Sequence, residues 1–416
     1  MKESNVLEYK EKITNTFLKT VSAFANFGTG EIKFGITDSG KPVGVNEPKS
    51  ACLDIENKIN DSISPKPRYT LSVNSNNVIT LTVYEGLNKP YLYKSKAYIR
   101  NDTSTVEVDA VELRRLLLEG QNKSFEDLPS KTQNLKFGVL EQKLKEQISI
   151  KKLDENILKT LELYSDDEGY NIAGEILADK NSFPGIDIVR FGESIDIIMD
   201  RKLCEKTSCL AQLDVACEMF KKYYQYEIID GMLRTEKELI PEKAFREAVV
   251  NAIVHRTWDV NANVRVSMFK DRIEIVSPGG LPHGISKEEY LAGRLSILRN
   301  PIIGNVFFRL HQIERFGTGV KRINEAYTDS EIKPRFEVSD NTISVILPTV
   351  EKEIPLNEDE KTIYIFLKNN IALSSSEIAE GCGFGKTKTV SILKNLVKNG
   401  YIKTTGNGRG IKYICD

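Results

Sequence analysis

The chain has 416 residues, and 58 Lys and Arg offset 59 Asp and Glu to give a formal charge of -1. Such a balance excludes a global pull toward nucleic acid or anionic membrane, so a surface for either must be a local patch. With 28% charged and 40% hydrophobic residues the chain reads as globular, long enough for roughly three domains at about 100–200 residues each.

Six dispersed cysteines without a CxxC pair and three scattered histidines argue against a stapled secreted scaffold or a local zinc motif. Met1 to Asn5 lack the apolar run of a signal peptide, and no apolar stretch approaches a membrane span. A soluble, cytoplasmic protein with no membrane partner is expected.

In chain order, Ile13, Phe17, Val21 and Phe24 form a helical apolar stripe that should end at Asn26-Phe27-Gly28-Thr29-Gly30. Ile32, Phe34 and Ile36 alternate as a strand, Asp38-Ser39-Gly40 turns, and Val43-Gly44-Val45 should return. A polar helix over 51–63, a strand over 78–84, a strand at Tyr98-Ile99-Arg100 and a helix over 111–118 complete an α/β unit.

Glu8 with Lys10, Ala23 to Asn26 with Gly28 and Gly30, Gly35 to Gly40, and Tyr98 with Arg100 make residues 1–120 resemble the Schlafen AlbA_2 domain. The usual Gly-Gly pair is here split as Gly28-Thr29-Gly30. The resemblance implies nucleic-acid contact, for which Lys33, Lys94, Lys96 and Arg100 offer phosphate ligands and Tyr91, Tyr93 and Tyr98 either packing or base stacking.

Some Schlafen proteins are metal-dependent ribonucleases, and the positions that would carry this are Glu3, Glu8 and Asp38. Carboxylates suit Mg²⁺ or Mn²⁺ in phosphodiester cleavage. Residues five apart converge only if a turn intervenes, so solvated acids, or an internal ion pair for Glu8 and Lys10, stand as alternatives.

The polar stretch 121–152 reads as a linker followed by helical material, and 121–200 as the entry to a central domain. Helices are expected at 157–163, 171–177 and 209–223, and strands at 185–191 and 194–200. In 245–256, Phe245, Val249 and Ile253 recur every four residues as a core face, while Glu247, Asn251 and His255 recur on a neighbouring line. A hairpin over 263–276 leads to the loop Ser277-Pro278-Gly279-Gly280-Leu281-Pro282.

Glu247-Ala248-x-x-Asn251-Ala252-x-x-His255-Arg256 resembles the N box of the GHKL ATPases, in the divergent form of RecG-like, AlbA_2-containing regulators. The resemblance implies an α/β sandwich over 201–350 that binds ATP or a related nucleotide with Mg²⁺. Glu247 would orient and deprotonate water, and Asn251 would ligate the metal. His255, Gly279, Gly280, Gly317, Thr318 and Gly319 would line the ligand. The adenine-reading aspartate of the first glycine box is absent, and a degenerate domain kept for regulation is the alternative.

A charged, proline-containing linker at 351–360 precedes three helical patterns, a Thr-Gly-Asn-Gly-Arg-Gly loop and a last strand. The layout resembles a winged helix-turn-helix over 351–416. Its recognition helix would present Lys386, Thr387, Lys388, Thr389 and Ser391 to duplex DNA, and its wing Asn407 and Arg409.

An α+β, multidomain chain is therefore expected. Its favoured function is a dimeric, nucleotide-responsive DNA-binding transcriptional regulator, with RNA as a second possible partner. A metal-dependent ribonuclease or weak ATPase, and a non-catalytic scaffold, are the competing classes.

Overall fold

The computed structural model describes residues 3–414 except 231–232, 283–284, 294–296, 314–317, 351–355, 369 and 407–410. The architecture is α+β and divides into two compact units, Met1–Val350 and Glu351–Asp416. Among the described residues no helix is long and apolar enough to cross a membrane.

The first unit holds two hydrophobic cores. In the N-terminal one the helix Phe17–Phe27 lies buried along most of its length, because Phe17, Leu18, Val21, Phe24 and Ala25 repeat at helical spacing. It packs on a four-stranded sheet in which Leu7–Lys10 runs parallel to Gly30–Phe34, followed by Ile79–Val83 and Tyr69–Val73. Residues 43–45 form no strand of their own; Ile36 bridges Pro42 at the turn instead. Tyr91, Tyr93 and Tyr98 are buried in this core, so they pack and do not offer faces to bases.

The central core is built on a six-stranded mixed sheet in the order Ile198–Cys204, Ile186–Phe191, Val264–Met268, Arg272–Pro278, Thr342–Pro348, Arg335–Val338. Ile186–Phe191 pairs parallel with Val264–Met268, setting Ile188 opposite Val266. Ile186, Ile188, Val264, Val266, Ile273 and Ile275 thereby share one buried face. The helices Cys209–Tyr224 and Glu242–His255 pack into the same core, where Phe220 stacks on Phe245 at 4.4 Å between ring centroids.

The expected strand at 194–200 is displaced, since pairing begins at Ile198 and a register shift falls between Arg190 and Phe191. The hairpin Gln225–Asp230 and Leu233–Glu238 had no counterpart in the expected elements.

Residues 121–152 are not a free linker. Phe137, Leu140 and Leu144 belong to the central core, with Phe125, Leu128 and Leu135 packed against it. The fully buried Glu126 caps the helix Pro301–Arg309 by accepting from Ile302 N at 2.5 Å and Ile303 N at 2.9 Å. Upstream, Arg115 in the helix Ala110–Gly120 forms a bidentate pair with Asp259, both bonds at 3.1 Å. The exit of the N-terminal core is thus clamped onto the central one.

The second unit contains the helices Glu358–Lys368, Ser375–Cys382 and Lys386–Lys398 and the antiparallel pair Lys403–Thr405 and Lys412–Ile414. Ser374 and Glu377 form a capping box on the middle helix, which ends at Gly383 with φ 70°. Ile363, Leu367, Ile378, Leu393, Leu396 and Ile402 close its core.

Candidate functional site

A cavity of about 1000 Å³ opens where several separated stretches of sequence meet. The polar line of Glu242–His255 supplies Glu247, Asn251 and His255; the loop after Arg272–Pro278 supplies Gly280, Leu281 and Pro282; and the start of Gly319–Glu325 supplies Thr318 and Gly319. The apolar wall includes Ile275, Ile302 and Val345. Both periodicities of the long helix are realised, because Phe245, Val249 and Ile253 are buried on its other side.

Asn251 Nδ2 donates to Glu247 Oε1 at 3.4 Å. That bond leaves the carboxamide oxygen as the end suited to a cation. Burial pushes the Glu247 carboxyl up, opposed chiefly by the Arg322 charge, which moves it toward the range useful to a general base. His255 is driven down to about 4, first by burial and then by the charge of Arg299, so it is neutral at pH 7.

Gly319 lies against the site's polar side chains. A Cβ there would collide with Asn251 Nδ2 and stand 2.9 Å from Glu247 Oε1, so any larger residue would push these two side-chain ends aside. Gly279, at φ 104°, acts elsewhere, since its missing Cβ faces Thr257 and Arg299 and its N donates to Asn341 O at 2.7 Å. Gly280 likewise abuts the Asp340 carbonyl. Gly279 therefore serves loop packing, while Gly280 does so and lines the cavity as well. Gly317 lies outside the described residues.

Ser277, at the head of the glycine loop, donates its hydroxyl to Ala252 O at 2.9 Å. Asp271 sits at the far end of the same strand, paired with Arg272 at 3.0 Å, and does not reach the cavity. Arg256, the last residue of the motif, is fully buried, donates to Gly185 O and Ala262 O, and stacks on Trp258 at 4.2 Å. It organises the following loop and is not a ligand contact.

Sequence reasoning missed the contribution of the segment after Ala110–Gly120. Glu119, Asn122, Lys123, Ser124 and Asp127 all line the cavity. The chain is turned there by Lys123 N donating to Leu118 O at 2.9 Å, and by a capping box between Ser124 and Asp127. Arg299, also missed, donates to Thr257 Oγ1 and, at 2.9 Å, to Gly280 O. The signal was a Ser-x-x-Asp box inside what read as a polar linker.

The N-terminal acids do not assemble as a metal set. Among the described residues no three His, Cys, Asp or Glu are grouped to hold an ion. Glu8 is buried and paired with Lys10 at 2.6 Å and Arg100 at 3.2 Å. Glu3 accepts from Tyr9 N at 2.7 Å, and Asp38 is exposed on its turn. Glu3 and Glu8 are thus each engaged by other groups of the chain.

Arg100 is also withdrawn from phosphate contact, since it is buried and donates to Ser4 O and Leu7 O at 2.9 and 3.2 Å. Lys33 pairs with Glu31 at 3.2 Å.

On the helix Lys386–Lys398, Lys386 and Thr387 are exposed, whereas Lys388 pairs with Asp359 at 2.7 Å. Thr389 is fully buried and donates to Gly385 O at 3.2 Å, so it cannot reach a base edge. Ser391, Lys394, Asn395 and Lys398 extend the exposed face. Asn407 and Arg409 lie outside the described residues.

Residues 3–109 match the family described as "Schlafen, AlbA_2", and residues 261–347 match "Putative ATP-dependent DNA helicase recG C-terminal". The second match begins after the Glu247 to Arg256 motif. No protein of curated function matches the chain. Among solved structures, the DIP2311 protein from Corynebacterium diphtheriae aligns over 99% of this chain and 92% of its own, at 18% identity and a TM-score of 0.49. The chain thus carries two distinct family segments, an AlbA_2-like one near its N-terminus and a RecG-associated, HATPase-type one at 261–347.

Proposed function

We propose that this protein is a DNA-binding transcriptional regulator whose central domain binds ATP or a related nucleotide with Mg²⁺. The observation that carries the reading is the cavity in which Glu247, Asn251 and Gly319 meet at close range. Asn251 would ligate the ion on the phosphates, the amides at Thr318 and Gly319 would face those phosphates, and Glu247 would hold a water. Lys123, exposed at the cavity wall, is the natural counter-charge from the N-terminal side.

The glycine-capped helices and terminal strand pair of residues 358–414 support a winged-helix reading, with Lys386, Thr387, Ser391 and Lys394 toward duplex DNA. A dimer would give such a module the footprint that specific binding needs. A nuclease role is less supported, because among the described residues Glu3, Glu8 and Asp38 are not grouped to hold an ion.

Titration of fluorescent ATP with Mg²⁺ against the full chain should saturate, and Asn251→Ala should weaken binding at least tenfold. Equal binding by both proteins, or none by either, would sink the nucleotide reading. In gel-shift assays Lys386→Ala/Lys394→Ala should weaken duplex DNA binding and flatten its salt dependence; an unchanged affinity and slope would remove the DNA-reading role.

A further inference from the structure

The cavity has two ends of different character. Glu247, Asn251 and Gly319 meet at one, and His255, about 12 Å further along the helix from Glu247, marks the other. At the His255 end two cross-strand pairs, Ile275 with Val345 and Ser277 with Ile343, line the cavity as a floor. Ser277 ties that floor to the helix through Ala252 O. A mostly apolar floor of this kind suits a planar ring.

Arg299 stands at the same end, where its charge bears on His255. The glycine loop is shaped around it: the guanidinium donates to Thr257 Oγ1 and to Gly280 O, and a Cβ on Gly279 would strike its Nη1. Those two bonds leave donors over, since a guanidinium carries five N–H groups.

The carboxylates that act on Arg299 are Asp259 and Glu112, neither of which lines the cavity. Both are held by Arg115, at 3.1 and 2.9 Å. The loop from Ser277 to Pro282 contains no carboxylate either. Arginine stays protonated at neutral pH, so the ring end is bordered by a positive charge that no carboxylate of the cavity wall offsets.

We propose that the base taken at this end is guanine, bound through its O6 and N7 by Arg299, in preference to adenine. The proposal rests on the nucleotide reading above and names the base for that site. Guanine presents two adjacent acceptors on the edge where adenine presents one acceptor and an amino donor, and the paired donors of arginine match the former. An adenine amino group would instead direct its N–H toward the cation. The sign of the charge at the ring end thus favours an exocyclic oxygen.

Calorimetric titration of the full chain with GTP, ITP and ATP, each with Mg²⁺, tests this. GTP should bind at least about tenfold more tightly than ATP. ITP keeps O6 and N7 but lacks the 2-amino group, and should stay within about threefold of GTP. Arg299→Gln, which removes the charge, should narrow the ratio of GTP to ATP affinity to within about threefold, chiefly by loss of GTP.

ATP binding as tightly as GTP would overturn the guanine assignment and leave the nucleotide reading standing. ITP behaving like ATP would also overturn it, because the 2-amino group and not the oxygen would then be read. A preference that survives Arg299→Gln, or a variant that loses both nucleotides equally, would remove the role given to Arg299. No binding by any of the three nucleotides would end the nucleotide reading itself.

Discussion

At the residue scale the cavity is set by one absent side chain. Gly319 allows the helix it opens to rest against Asn251 and Glu247, so Gly319→Ala should tilt the carboxamide and reduce nucleotide affinity about tenfold. Its melting temperature should move little, because the displaced atoms belong to polar ends and not to the core. An unaltered affinity would show that the contact has no bearing on binding.

His255 makes a second residue-scale prediction. Its imidazole is neutral in the folded chain down to about pH 4, while its unfolded value is 6.5. Between these values the unfolded chain binds one more proton, so stability declines as pH falls from 6.5 toward 4. With partial solvent access the loss attributable to this group is about 1–3 kcal/mol. Chemical denaturation at pH 7 and pH 4.5 should show His255→Asn losing less than the wild type over that interval.

At the scale of elements, Glu126 ties the segment leaving the N-terminal core to a helix nearly two hundred residues downstream. Burial pushes its carboxyl up to about 8, against the lowering effect of the two backbone bonds from Ile303 and Ile302. Glu126→Gln keeps the shape but turns an NH₂ toward one of those amides. An unsatisfied buried donor costs about 1–3 kcal/mol, and a urea midpoint lowered accordingly would be the measurement.

This link was illegible in the sequence, because a glutamate in a polar stretch looks solvated until its partners are brought to it. The helix Glu242–His255, by contrast, could be placed almost to the residue, since its apolar and polar positions each repeat every four residues. Thr389 failed for the opposite reason to Glu126. It looked like a contact at a helix start, but the rotation of that helix places it against the core.

At the scale of the whole molecule, Met1–Val350 and Glu351–Asp416 have separate cores. Calorimetry of the full chain should show more than one transition. Leu393→Ala, at a fully buried site of the smaller core, should destabilise the transition of that unit by about 2–5 kcal/mol and leave the larger one in place. A single transition shifted as a whole would mean that the units unfold together.

What the sequence determined by itself was local. Periodicity placed most helices and strands, turn residues placed the loops, and the Glu-Asn-His line marked the cavity before any neighbour was known. What only tertiary structure decided was which distant groups share a neighbourhood. It paired Glu8 with Arg100, bonded the buried Arg256 to Gly185 O, and folded residues 119–127 into the cavity wall. The reason is physical: a side chain's backbone period follows from its own segment, whereas its partner and its desolvation depend on chain that returns from far along the sequence.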